Sequence, residues 1–269
     1  MRRTVRFASL FMAIVMMFSL AVPGALAAGT AIDTTTASDG YFTVNYSAQE
    51  NVKMKVGVTH GAQTAYYTYQ PGDAAAYAFT EGDGDYTITL YRNTTGTKYK
   101  KVESTSVKVA LTDEMAPYLV STDEITFAAD DAVGRTAVAL CAGLTKDTDK
   151  IVAIHNYIAG RFTYDKAFGA QVAAGQIKNY VPDTNKTLAS GTGVCYDFSA
   201  LFAAMCRSQG VPCVIVRGYV NGSYHAWNMV YAEGAWQLVD MTREVSNRNA
   251  AATTLAACVT ASDGYTVAA

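Results

Sequence analysis

The strongest constraint on this chain is a change of hydrophobic period part-way along it. From Tyr41 to Leu111 apolar residues recur at every second position: Phe42, Val44 and Tyr46; Val52, Met54, Val56 and Val58; Tyr86, Ile88 and Leu90; Val107, Val109 and Leu111. Such alternation belongs to half-buried strands, and Pro71-Gly72-Asp73, Gly82-Asp83-Gly84 and Asn93-Thr94-Thr95-Gly96 punctuate it as turns. Beyond about residue 130 the spacing becomes helical, and one packing layer cannot serve both periods. The spacing therefore predicts an antiparallel β-sandwich of Ig-like size over residues 28–112, a linker over 113–130 and a second domain over 131–269. Nine of the 18 tyrosines lie between residues 41 and 99. Strand propensity explains that enrichment better than a carbohydrate platform, because tyrosine suits positions that are half buried and half wet.

In the second domain, helices are predicted over 131–143 and about 147–160, with Ile151, Ile154 and Ile158 as the apolar stripe of the second. His155 falls on or beside that stripe and is read as a packed residue. Residues 165–190, with Gly175, Pro182 and Asn185, are predicted to form a long polar loop.

The opening residues stand apart from both domains. Arg2, Arg3 and Arg6 precede an apolar run from Phe7 to Val22, Pro23-Gly24 breaks it, and Ala25-Leu26-Ala27 offers small residues to a signal peptidase. This is the pattern of a secretory signal peptide, residues 1–27, cleaved after Ala27. The run is shorter than the roughly 20 residues of a membrane span. The expected product is extracellular, with no membrane segment after cleavage. The full chain has 21 basic and 23 acidic residues with no block of like charge, so a nucleic-acid footprint is missing. Its five cysteines form no C-x-x-C pair and its three histidines show no ligand spacing, so neither a metal nor a cofactor is expected.

The chemistry is concentrated between Gly191 and Thr242. Gly191-Thr192-Gly193-Val194-Cys195 is a glycine loop that delivers a cysteine to a helix start. Phe198, Leu201, Phe202 and Met205 then recur at i, i+3, i+4 and i+7, and Gly210 is the expected helix stop. Free N–H groups and the positive dipole end favour an anion at such a start, the setting that makes a thiol nucleophilic. Val211-Pro212 leads to a strand over 213–220. Asn221-Gly222 turns it into a second strand over 223–231, which carries His225 and Trp227. A turn near Glu233-Gly234 leads to a third over 235–240. That spacing puts Asp240 across from a point between His225 and Trp227, where a carboxylate can orient the imidazole towards Cys195. Cys, His and Asp placed in this way are the parts of an acyl-transfer triad.

G-T-G-V-C-Y-D-F-S-A-L-F, then Gly210-x-Pro212, H-A-W-N and W-x-L-V-D-x-T together resemble the bacterial transglutaminase-like core. The motifs span residues 188–242, and the likeness fades towards residue 130. The resemblance implies a papain-like α+β fold, with the nucleophile helix packed on an antiparallel sheet, preceded here by the all-β sandwich. It implies Cys195 as nucleophile, His225 as base and acid, and Asp240 as the residue that orients it. Arg243 stands where relatives often have an aromatic residue, and the Ala/Thr-rich tail is short, so the closure of the substrate groove differs. Tyr164 and Asn179 are candidates for the second oxyanion donor from position alone, and Trp227 for a groove wall or a packing partner of Trp236.

The other thiols, Cys141, Cys206, Cys213 and Cys258, read as buried small hydrophobes, with a Cys206–Cys213 bridge left open. The expected function is a secreted thiol-dependent acyl transfer on amide bonds of a protein or peptide substrate, at the cell wall or surface among the places open to it. Transglutaminase, deamidase and cysteine peptidase all fit. The alternative is a secreted adhesion or interaction protein that uses the same fold as a scaffold. Oligomeric state is not legible.

Overall fold

A computed structural model describes residues 30–48, 52–72 and 74–268 of the 269. The expected signal peptide, residues 1–27, lies outside them. Among the described residues no helix is long and apolar enough to cross a membrane. The chain forms two units, dividing between Pro117 and Tyr118.

The first unit is all β. Its strands are β1 (Ile32–Asp33), β2 (Tyr41–Val44), β3 (Met54–His60), β4 (Gln63–Tyr69), β5 (Ala75–Ala78), β6 (Gly84–Thr95) and β7 (Lys98–Val109). They make two antiparallel sheets, ordered β1-β2-β5 and β4-β3-β6-β7. The alternating residues supply one shared core: Phe42 and Val44 from β2, Met54 and Val56 from β3, Tyr86, Ile88 and Leu90 from β6. Tyr69 and Tyr86 are buried in it, and their hydroxyls donate to the carbonyls of Tyr46 (3.0 Å) and Gly82 (2.7 Å). Buried tyrosines are tolerated when the polar tip is satisfied in this way. The turn expected at residues 93–96 comes later. β6 runs to Thr95 through two register shifts, and the Asn93 side chain donates to the carbonyls of Gly96 and Lys98.

The second unit begins before the expected boundary at 131. Residues 118–130 lie within it, and Ile125 is buried in its core. Its elements are α1 (Ala132–Leu140), α2 (Asp147–Arg161), β8 (Thr163–Tyr164), α3 (Lys166–Ala173), α4 (Thr184–Ser190), β9 (Thr192–Gly193) and α5 (Cys195–Ser208), followed by β10 (Cys213–Val220), β11 (Ser223–Ala232), β12 (Ala235–Val239), α6 (Met241–Asn247), α7 (Leu255–Cys258) and β13 (Tyr265–Val267). The main sheet is antiparallel, ordered β12-β11-β10-β13. Helix α5 packs on it. Phe198, Leu201, Phe202 and Met205 are fully buried, each stabilising the fold by about 1.5–3 kcal/mol. Asn228 ties helix to sheet, donating to the carbonyls of Ser199 (3.0 Å) and Val214 (3.3 Å). The α2 stripe of Ile151, Ile154 and Ile158 is fully buried, as its spacing predicts.

The long loop predicted over 165–190 is replaced in part by two short helices. Asp165 and Asp183 cap them, accepting from the N–H of Phe168 and Lys186, both at 2.9 Å. These helices leave little apolar periodicity, because α3 has no buried residue at all and α4 buries only Thr184 and Thr187. Caps were the signal in the sequence, and hydrophobic spacing was not.

Candidate active site

The glycine loop works as its spacing predicts, with a distinct task for each glycine. Gly191 ends α4 with φ of 65°, a left-handed conformation that suits a residue without a side chain. The chain then pairs β9 with β8 and enters α5. At Gly193 a Cβ would stand 2.7 Å from the Cβ of Asp197, so only glycine lets that aspartate fold back. The Asp197 carboxylate accepts the Val194 N–H at 2.9 Å and so caps the helix whose first residue is Cys195. Its other oxygen accepts the Tyr180 hydroxyl at 2.6 Å. The thiol of Cys195 is partly exposed, whereas the other four cysteines are buried free thiols; Cys206 and Cys213 are in contact but unbridged.

The hairpin brings the other two residues to it. Asn221 and Gly222 take φ of 49° and 81°, as a tight two-residue turn requires, and β10 pairs with β11 from Val220↔Ser223 to Cys213↔Val230. Gly218 pairs with His225, and Asn228 pairs with Val239 on β12. The next residue, Asp240, leaves the sheet as the N-cap of α6. Its Oδ1 accepts from the N–H groups of Thr242 (3.0 Å) and Arg243 (3.3 Å). Its Oδ2 accepts from Nε2 of His225 at 2.9 Å. The Cys195 side chain is near enough to act on the imidazole, and Nδ1 is the ring nitrogen that Asp240 leaves free.

The electrostatics follow from this geometry. Burial disfavours a charged His225, but the hydrogen bond to Asp240, the neighbouring Cys195 side chain and the charges of both outweigh it and lift the imidazole to about 9. Burial also opposes a charged Asp240. The bond from His225, the imidazolium charge, the Tyr265 hydroxyl and the Arg243 N–H together hold it below the usual carboxylate range.

The remaining candidates divide. Tyr164 stands near Cys195: burial first, then the charges of Cys195, Asp165 and Asp197, raise its phenol. Asn179 lies in the loop after α3 with φ of 56°, and no hydrogen bond among the described residues joins it to Cys195, His225 or Asp240. Trp227 is 2% exposed, so it is a wall behind the histidine rather than one facing a substrate. Strand alternation puts residues 225 and 227 on one face. The Trp227 ring stacks on His225 at 6.4 Å and meets Tyr265 edge-on at 5.2 Å, while Trp236 meets Tyr118 and Tyr231.

Four site residues were not found from the sequence. Asp197 was hidden inside the helix pattern, although an acid at the third position of a helix is a capping signal. Arg217 forms an ion pair with Glu124, donates to the Tyr196 hydroxyl and lies 4.7 Å over the Tyr196 ring, bracing the residue after Cys195. Glu124 falls within residues 113–130, the stretch whose spacing predicts a linker. Tyr265, in the tail, donates to Asp240 at 2.6 Å, and nothing in its local sequence announces that contact.

A cysteine at the start of a helix packed on an antiparallel sheet, with a histidine on that sheet and an aspartate just beyond it, is a papain-like arrangement. Residues 135–241 match the model of the transglutaminase-like superfamily, so this chain carries a domain of that superfamily. Among curated proteins it is similar to human kyphoscoliosis peptidase, 36% identical over 112 residues that cover 36% of this chain and 16% of that protein. It is also similar to the mouse kyphoscoliosis peptidase, 47% identical over 60 residues that cover 18% of this chain and 9% of the relative. The chain thus spans only a small part of the length of the curated relatives it matches. Among solved structures, the crystal structure of a TGase is 24% identical, with 41% of this chain and 30% of that chain covered and a TM-score of 0.35.

Proposed function

We propose that this protein is a secreted thiol acyltransferase or peptidase acting on amide bonds of protein or peptide substrates, with Cys195 as nucleophile. The observation that carries the reading is the placement of His225, whose Nε2 bonds Asp240 at 2.9 Å while the Cys195 side chain at the start of α5 is near enough to raise its proton affinity. An imidazole lifted to about 9 holds its proton at neutral pH and can stabilise a thiolate beside it. Sγ of Cys195 attacks the amide carbonyl carbon, and the developing oxyanion sits at the N-terminal turn of α5, where the Cys195 N–H can donate. Tyr164 remains the candidate for the second donor. The proton on Nδ1 of His225 passes to the leaving amine, and the acyl group stays on sulfur as a thioester. Water then completes hydrolysis, or an amine completes transfer, with His225 taking up the proton of the incoming nucleophile. Secretion rests on the signal-peptide pattern of residues 1–27, and cleavage after Ala27 is checked by intact mass.

The test needs no known substrate. Iodoacetamide should modify Cys195 well ahead of the four buried thiols, and His225→Ala should slow that reaction at neutral pH by about tenfold or more, because the thiolate loses its partner charge. Equal rates in the two proteins would overturn the reading and leave a scaffold for adhesion or interaction. With Cys195 activated, screens for amine incorporation and peptide hydrolysis separate the two outcomes, and Cys195→Ala should abolish both.

A further inference from the structure

Strand β13 has no part in the reading above, yet it reaches the centre of the site. It pairs antiparallel with β10 at Gly218↔Val267, Tyr219↔Thr266 and Val220↔Tyr265. The approach is held at both ends, by Asn221 N–H to the Gly264 carbonyl (3.0 Å) and Ala268 N–H to the Arg217 carbonyl (3.1 Å). It also depends on the bare backbone of Gly218. A Cβ there would lie 2.0 Å from the Thr266 carbonyl oxygen and 2.6 Å from the Trp227 ring. This docking sets the Tyr265 ring edge-on to Trp227 and its hydroxyl 2.6 Å from Oδ2 of Asp240, the oxygen that His225 also uses.

We propose that Tyr265 is a positioning residue for the proposed reaction, acting through Asp240 to limit how tightly the carboxylate holds the His225 proton. This inference rests on the acyl-transfer reading. Two donors on one carboxylate oxygen compete, because each draws on the same negative charge. The other oxygen is fixed by two backbone N–H groups, so loss of the Tyr265 hydroxyl leaves the carboxylate in place with its charge directed more fully at His225. The benefit is chemical. A histidine that must protonate a leaving amine is a poor acid when its proton is bound too strongly, and the best general acid ionises near the working pH. Burial and the bond to Asp240 keep the Tyr265 phenol raised, so it stays a donor throughout the working range. Among the described residues the ionisable groups acting on the pair include Cys195 on α5 and Arg243 and Glu244 on α6, and all of them persist when Tyr265 becomes phenylalanine.

The decisive measurement is an NMR titration of the His225 ring in the full chain, tractable because the sequence has three histidines. Tyr265→Phe keeps the ring against Trp227 and removes only the hydroxyl. The expected result is a higher titration midpoint, a gain in proton affinity of about three- to tenfold, as suits one charge-assisted hydrogen bond. The upper limb of the activity profile should move with it, and kcat should fall while KM stays. An unchanged midpoint would overturn the proposal. So would a lower midpoint, which would mean that Tyr265 merely keeps Asp240 in place. Alkylation of Cys195 in His225→Ala, run beside it, separates the two ideas. A shifted midpoint with alkylation indifferent to His225 keeps the coupling and overturns the acyl-transfer reading instead.

Discussion

Asp240 does two jobs with its two oxygens, and substitutions can separate them. Oδ2 orients His225, while Oδ1 caps α6. Asparagine caps a helix about as well as aspartate but carries no charge. Asp240→Asn should therefore keep the cap and lose only the charge-linked part of the stability, while lowering acyl transfer by a factor of about 10² or more, as a misoriented base does. Asp240→Ala removes the cap as well, and should cost a further ~0.5–2 kcal/mol of stability in the same urea titration. If both variants lose equal stability, Asp240 does not cap α6 in the way described. The pH profile of alkylation follows from the same residue. The imidazolium partner persists up to about 9, so the His225-dependent part of the rate should fade as pH rises through that value. Asp240 is held low, so its carboxylate is retained until well into the acid range.

At the scale of elements, two bare positions decide whether the site can assemble. Gly193 admits the Asp197 side chain that caps α5, and Gly218 admits β13. Gly193→Ala forces a Cβ against Asp197 at 2.7 Å and should displace the cap. The expected loss is about 1–3 kcal/mol, with slower alkylation of Cys195 because the helix start that presents it frays. Gly218→Val should detach β13, which amide hydrogen exchange reads directly: protection at residues 265–268 should fall while β11 and β12 stay protected. Retained protection there would mean that the strand pairs without the space Gly218 provides. Helix α6 is pinned from its far side as well. His155, fully buried on α2, bonds Glu244 at 3.3 Å, and both Cys258 and Glu244 help to lift its imidazole to about 9 against the opposing effect of burial.

At the scale of the whole molecule, the boundary between Pro117 and Tyr118 makes a sharper prediction than a linker over 113–130 would. Val120 offers its carbonyl to the buried Arg207 at 2.7 Å, Glu124 pairs with Arg217, and Ile125 fills the core. A fragment of residues 118–269 should fold cooperatively with Cys195 still reactive. One beginning at residue 131 leaves Arg207 and Arg217 short of partners, and should be less stable by about 3 kcal/mol or more in urea. Two imidazoles also make the stability of the second unit depend on pH. His155 and His225 both bind protons more tightly when folded, about 9 against the ordinary 6.5. Their contribution is complete below about 6.5 and is lost as pH rises through about 9. Calorimetry should accordingly find a lower Tm at pH 9.5 than at pH 6.5, and His155→Gln should flatten the difference.

Periodicity made the two-part architecture legible, and the G-T-G-V-C loop, the Asn221-Gly222 turn and the spacing to Asp240 made legible the start of α5 at Cys195 and the meeting of His225 with Asp240. These are local signals, because a helix stripe, a two-residue turn and the register it imposes are set by neighbours along the chain. Helices α3 and α4 were missed where caps had to speak without an apolar stripe. Glu124, Asp197 and Tyr265 were missed for another reason. Glu124 meets Arg217 and Tyr265 meets Asp240 only after distant segments have docked, and Asp197 adds Tyr180 in the same way to a local cap that lay hidden within the helix stripe. The sequence by itself pointed to the residues proposed for the chemistry and placed Cys195 at a helix start and His225 on a strand. The tertiary structure alone decided how the carboxylate is shared, because one oxygen atom of Asp240 lies within reach of two strands that are far apart along the chain.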